Sequence, residues 1–306
     1  MIYDKPPITI EEQIAKLQER GLEFDNIELA KKYFSHISYY RLAGYWWPMY
    51  KDKDKKEDKH SFKPNSKFKD VIALYNFDHR LRMLIFDVIE KIEISLRTKL
   101  IYHLSHEFDP WWFEERSLFT DTQSLTKTLF KIQEEVERSK DVFMKEHKKK
   151  YKEDLRFPPS WKTLELTSFG SLSRLYGNLK NTVKSKDVIA EELGAVNHTY
   201  LPSWLQSIAQ IRNFCAHHSR LWNKNLPGTV KLLPKPPYRW INDVPKQHEF
   251  KYLYVHLCLM RYLLNVIEPP NKFDQRLKKL MEKYKDNVDP NALGFKDGWR
   301  QEELWN

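Results

Sequence analysis

The chain has 306 residues, enough to bury a large core as one domain or two modest ones, with one compact unit and appendages expected, and its 8 Gly against 10 Trp, 16 Tyr and 17 Phe disfavour a turn-rich β-sandwich and point to a helix-rich, aromatic-heavy fold. Fifty-two Lys and Arg against 42 Asp and Glu give a formal charge of +10, which suits an anionic partner such as RNA without naming it. Two cysteines, Cys215 and Cys258, exclude a disulfide framework and a thiolate-rich metal centre, and they fit a reducing cytoplasm.

The amino terminus shows no basic leader followed by an apolar run, so an unexported protein is expected. Thr9-Ile10-Glu11-Glu12 is a capping-box pattern that opens a short helix ended by Gly21, and Asp25-Asn26-Ile27-Glu28 repeats the device for a second. The aromatic-rich segment from Ile37 to Pro48 reads either as core anchors or as a surface on which bases stack. The run from Lys51 to Lys59 mixes both signs without a period and reads as a solvated loop. From Phe68 to His103 there is neither Gly nor Pro, and Val71, Leu74, Leu81, Ile85, Val88, Ile92 and Leu96 recur at three- or four-residue steps, with one wider gap across Asn76 to Arg80. That spacing predicts one long helix or two nearly collinear ones.

A further helix is expected from Ser124 to about Lys149, and its basic end, with Lys148, Lys149 and Lys150, either touches RNA phosphates or complements the helix dipole in water. Pro158-Pro159 breaks the chain, and Trp161 to Lys180 reads as helical on either side of Gly170, which marks a bend or a close contact. After a proline-rich stretch beyond Pro227, a buried helix is expected over Glu249 to Ile267 and an amphipathic one over Gln275 to Lys285. The most apolar run, Tyr252 to Ile267, is interrupted by His256 and Arg261, so no membrane span is expected.

Arg212-Asn213-Phe214-Cys215-Ala216-His217-His218 is the stretch richest in chemistry, although an arginine and a histidine with four to six residues between them arise by chance about once or twice in such a chain. Arg97 and His103 match that spacing too, without the following amide. Pro202 suits the first turn of a helix running to about Leu221. At about 100° per residue, Trp204, Ile208, Ile211 and Cys215 form its buried stripe, while Gln206, Asn213, His217 and Arg220 form a polar ridge on the other side. His218 falls roughly 40° from the stripe and reads as structural, whereas His217 lies on the ridge and takes the chemistry. Arg212 sits about 140° from His217, so either its long stem curls round the helix or two copies of the helix face each other across a two-fold axis. The second arrangement predicts a homodimer.

At these residues the chain resembles the abortive-infection family of AbiD/AbiF type, within the HEPN group of helical nucleotide-binding domains. The resemblance is carried by His36 to Leu42 with Gly44, Leu74-Tyr75, Phe77-Asp78, Leu81-Arg82, Ile92-Glu93-Ile94 and Leu96-Arg97. It continues through Trp161, Glu165, Phe169-Gly170 and the tract from Arg212-Asn213 to Trp222-Asn223. It implies an all-α, HEPN-like helical bundle, a single domain over residues 1–306 with an N-terminal helical extension over 1–66, a core over 67–226 and a C-terminal helical extension over 227–306. It further implies a site formed between two copies, RNA cleavage without a metal or other cofactor, catalysis by Arg212 and His217 with support from Asn213, a role against phage and, as in some members, an RNA antitoxin as partner.

The chemistry these groups can perform is attack of a ribose 2′-hydroxyl on the adjacent phosphate, with His217 moving the proton and Arg212 stabilising the phosphate oxygens. The products would be a 2′,3′-cyclic phosphate and a 5′-hydroxyl. His218 and Arg220 are candidates for support, Arg220 by holding RNA. A non-catalytic RNA-binding or regulatory protein is the alternative, and a solvated face or polar dimer contact the third reading. Glu93 and Arg97 read as an i, i+4 ion pair rather than as part of the site.

Overall fold

The capping signals in the sequence set the first two helices. The computed structural model describes Ile2 and residues 6–51, 60–228 and 230–306; most of the mixed-charge run read as a loop, Asp52 to Lys59, lies outside the described residues, as does much of the amino-terminal stretch. Helix α1 (Ile10–Glu19) opens on a complete capping box, in which Glu12 N–H donates to Thr9 Oγ1 at 3.2 Å and Thr9 N–H to Glu12 Oε2 at 2.6 Å. Helix α2 (Ile27–His36) is capped by Asn26, whose side chain accepts from Leu29 N–H at 2.9 Å. Helix α3 (Tyr39–Trp46) holds part of the aromatic segment; Leu42, Tyr45 and Trp46 are buried, whereas Tyr40 and Trp47 are exposed.

The long apolar repeat forms one uninterrupted helix, α4 (Phe68–Glu107), of 40 residues. The wider gap in its pattern holds a buried carboxylate, Asp78, which accepts from Tyr45 Oη at 2.7 Å. Phe77, also buried there, continues the three- and four-residue steps from Leu74 to Leu81, so the apolar repeat runs through the gap.

The helix expected from Ser124 to Lys149 is two, α5 (Thr122–Arg138) and α6 (Val142–Lys150). Between them Ser139 Oγ donates to Asp141 Oδ2 at 2.8 Å and accepts from Asp141 N–H at 3.2 Å, a local polar turn that competes with helix continuation. Then follow α7 (Ser160–Thr163), α8 (Phe169–Asn178), α9 (Lys184–Glu192), α10 (Leu201–Ala216), α11 (Leu253–Ile267) and α12 (Phe273–Lys283). Gly170 lies in the first turn of α8, not at the break before it. Every residue of α11 from Leu253 to Leu264 is buried, as its composition predicts. Among the described residues there are twelve α-helices and no strand longer than an isolated bridge, so the fold is all-α.

By backbone contacts the chain divides into two compact units. One comprises residues 1–81 with 279–289, and its core gathers Leu17, Ala30, Phe34, Leu42, Trp46, Phe68 and Val71, with the Phe34 and Phe68 rings stacked at 5.4 Å between centroids. The other comprises residues 82–278 with 290–306; in it α8 packs against both α5 and α10, and α10 packs also against α11. The Arg212 to His218 stretch belongs wholly to this second unit.

Candidate functional site

Helix α10 carries the motif and starts as the sequence indicates, with Pro202 in its first turn, where a missing N–H costs no helical bond. Trp204, Ile208, Ile211 and Cys215 are all buried, so the apolar stripe is the packed face. Gln206 and Asn213 are exposed on the opposite side and Gln210 is half-buried there. Behind the packed face, Ser207 Oγ lies 2.6 Å from His256 Nδ1, and His256 Nε2 lies 2.8 Å from the Phe250 carbonyl. That geometry makes His256 a neutral imidazole, accepting from Ser207 and donating to Phe250, and burial pushes its pKa down to about 4. It ties α11 to the motif helix and is itself sealed from solvent.

The helix ends at Ala216, five residues earlier than the periodicity suggests. His217 is the C-cap, with its N–H on the Asn213 carbonyl at 3.0 Å. His218 adopts the left-handed conformation at φ 54°, and its N–H donates to Cys215 O at 3.1 Å while Ser219 N–H donates to Phe214 O at 2.8 Å. This pair of bonds is a Schellman cap, and it stops the helix without the glycine that usually marks one in a sequence. The wheel argument therefore fails past Ala216. His218 is exposed and turned off the helical path rather than set near the apolar stripe, and Arg220 is half-buried beyond the helix rather than on its ridge.

Arg212 and Asn213 leave α10 in different directions. The Arg212 guanidinium carbon lies 5.9 Å from the Phe86 ring centroid on α4, and its Nε is buried with no hydrogen-bond partner among the described residues. Asn213 lines an open groove of about 580 Å³ formed with α5 and α8, and His217 is exposed. Among the described residues no hydrogen bond joins the side chains of Arg212, Asn213 and His217. One chain thus supplies the three groups on one helix end without closing them onto a single point.

Several neighbours escaped the sequence reading as site residues. Arg82, 4 % exposed, donates through Nη1 to the Ser219 carbonyl at 3.3 Å and so fixes the backbone just after the motif to α4. Lys224 Nζ lies 3.7 Å from the Phe214 ring centroid, a cation–π contact beneath the motif. Gln210, one turn beyond Gln206, was legible from the same periodicity.

The other candidates lie elsewhere. Lys148, Lys149 and Lys150 are exposed in the last turn of α6; Lys148 Nζ donates to the Val136 carbonyl at 3.2 Å and borders a separate depression that also contains Glu137 and Asp154. Arg97 bonds Glu93 Oε1 at 2.9 Å and the carbonyls of Leu164 and Thr167 at 2.8 and 3.2 Å, and His103 Nε2 lies 3.0 Å from Glu192 Oε2. Those contacts are structural ties, and the second Arg-to-His spacing carries no site. Among the described residues no three His, Cys, Asp or Glu side chains are grouped to hold a metal ion, and no helix is long and apolar enough to cross a membrane.

No curated protein and no solved structure matches the chain at a significant level. The sequence model of one family, described as Abi-like protein, matches residues 32–223, a span that covers more than half of the chain and reaches from α2 to the segment after the Schellman cap. On that match the chain belongs to the Abi-like protein family.

Proposed function

We propose that this chain is a metal-independent endoribonuclease of the HEPN type acting in abortive infection against phage, a role that membership of the Abi-like family suggests. The observation that carries the reading is the end of α10. An exposed imidazole, His217, caps a rigid helix one turn after an exposed amide, Asn213, and five residues after a guanidinium whose Nε–H has no acceptor.

In the reaction the ribose 2′-oxygen forms a bond to phosphorus as its proton passes to His217, and the bond from phosphorus to the 5′-oxygen breaks. The leaving oxygen takes a proton from a second imidazole or from water, giving a 2′,3′-cyclic phosphate and a 5′-hydroxyl. Arg212 meets the charge that builds on the non-bridging oxygens, and Asn213 orients the phosphate or the imidazole. Because Arg212 points towards α4 and Asn213 into the groove, a homodimer that pools the motifs of two copies is the arrangement in which all groups reach one linkage. An antitoxin RNA is a further partner of the same surface.

The test is cleavage of RNA in EDTA by the parent, Arg212→Ala and His217→Ala. Each variant should lose roughly 100-fold or more in rate while keeping its helical spectrum. Equal rates in all three would sink the assignment. The divergence of Arg212 and Asn213 also favours a second reading, an RNA-binding protein without turnover; a labelled RNA that shifts in a gel and stays intact would select it.

A further inference from the structure

The groove beside Asn213 has a composition that differs from a phosphate track. Its walls are α8 and α10, its end is the first turn of α5, and Gly170, Gly177 and Ala209 leave it open. A surface built for the sugar-phosphate backbone carries several Lys and Arg. Among the described residues that line it there are one cation, Arg174, and one carboxylate, Asp121, whose Oδ1 is already taken by the N–H groups of Gln123 and Ser124.

Side-chain amides take the place of charge. Gln206, Gln210 and Asn213 follow one another at four- and three-residue steps on the same face of α10, so they form one row that ends at His217. None of the three side chains hydrogen-bonds within the described chain, in contrast to Asn178 across the groove, whose amide is held by Asp121 at both ends at 2.7 and 2.8 Å. Arg174 Nη2 reaches Ser171 Oγ at 3.1 Å, which steadies its guanidinium at the rim. An amide offers a donor and an acceptor side by side, the pattern that matches a base edge, adenine N6 and N7 most directly, and unpaired RNA bases are the ones free to present such an edge. The open volume of about 580 Å³ falls within the roughly 300–1,000 Å³ usual for small-molecule sites, room for a base rather than a duplex.

We infer that this groove is a base-recognition subsite for unpaired nucleotides beside the scissile linkage, read by Gln206 and Gln210 with Arg174 at its mouth. The inference rests on the endoribonuclease reading, and it makes the row of amides the source of any sequence preference at the cut.

The experiment sequences the ends left by the full-length parent and by Gln206→Ala/Gln210→Ala on a randomised single-stranded RNA pool, with circular dichroism to establish that both are folded. The parent should favour one base near the cut by roughly tenfold, and the double variant should lose that preference. Retained preference in the folded double variant overturns the subsite while leaving the nuclease standing. A parent that cuts nothing overturns both readings. A second readout avoids turnover: His217→Ala is irradiated with single-stranded RNA containing 4-thiouridine and the adducts are mapped. Adducts on α8 and α10 peptides lining the groove support the subsite, and adducts confined to other elements overturn it.

Discussion

His218 holds at the end of α10 the conformation that two other helices give to glycine. Helix α1 closes with Gly21 at φ 94° and α9 with Gly194 at φ 84°, in each case with the same two-bond cap. An L-residue pays roughly 1–2 kcal/mol in the left-handed region, a cost that glycine escapes. His218→Gly and His218→Ala remove the same imidazole, so their difference isolates the backbone. The glycine variant should be the more stable by about 1 kcal/mol in urea titrations, and an alanine variant of equal stability would show that the cap does not form. The backbone alone would therefore favour glycine at this position. The sequence could not reveal this, because the sign that ends a helix is normally a glycine, and here two histidines stand in its place. Arg212, Asn213 and His217 were legible from spacing and chemistry; the splay of Arg212 towards Phe86 was legible only as an angle on a wheel.

Ser207 and His256 show how one element sets the position of another. The pair joins α10 to α11 inside the core, and His256 is neutral there. Its folded pKa of about 4 lies below the ordinary 6.5, so the unfolded chain binds a proton that the folded chain refuses. The stability tied to this group is complete above pH 6.5 and falls as the pH drops towards 4, by roughly 1.4 kcal/mol per pH unit and about 3 kcal/mol in all. Chemical denaturation of the parent and His256→Met at pH 7 and pH 5 should show a smaller loss in the variant; parallel losses would contradict a buried neutral imidazole. Elements with clean 3.6-residue spacing, α4 and α11 above all, were readable in the sequence. The break between α5 and α6 was not, because Ser139 and Asp141 act through a hydrogen bond across two residues that hydropathy does not register.

For the whole molecule, a formal charge of +10 and one motif per chain carry separate consequences. On the proposed function, counterion release should make RNA affinity fall steeply with salt, whereas base preference in the amide-lined groove should survive it. If two copies pool their motifs, Arg212→Ala and His217→Ala, each inactive alone, should regain measurable cleavage when mixed under conditions that exchange subunits, because one cleft then holds an intact arginine and an intact histidine. No recovery in a mixture shown to contain heterodimers would mean that each chain works with its own pair. A helix-rich fold followed from scarce glycine and helical spacing, both properties of the whole sequence, and the family resemblance narrowed it to all-α. The division into two compact units had no such signature, since its boundary falls within the unbroken helix α4.

The unmatched Nε–H of Arg212 bears on how the resting protein answers a ligand. A desolvated donor without an acceptor costs roughly 1–3 kcal/mol, so on the proposed function rotation of that side chain towards a phosphate oxygen would relieve a penalty already present. Lysine at this position keeps the charge but has no Nε–H, so Arg212→Lys would separate simple attraction from relief of that penalty if the chain binds RNA as proposed.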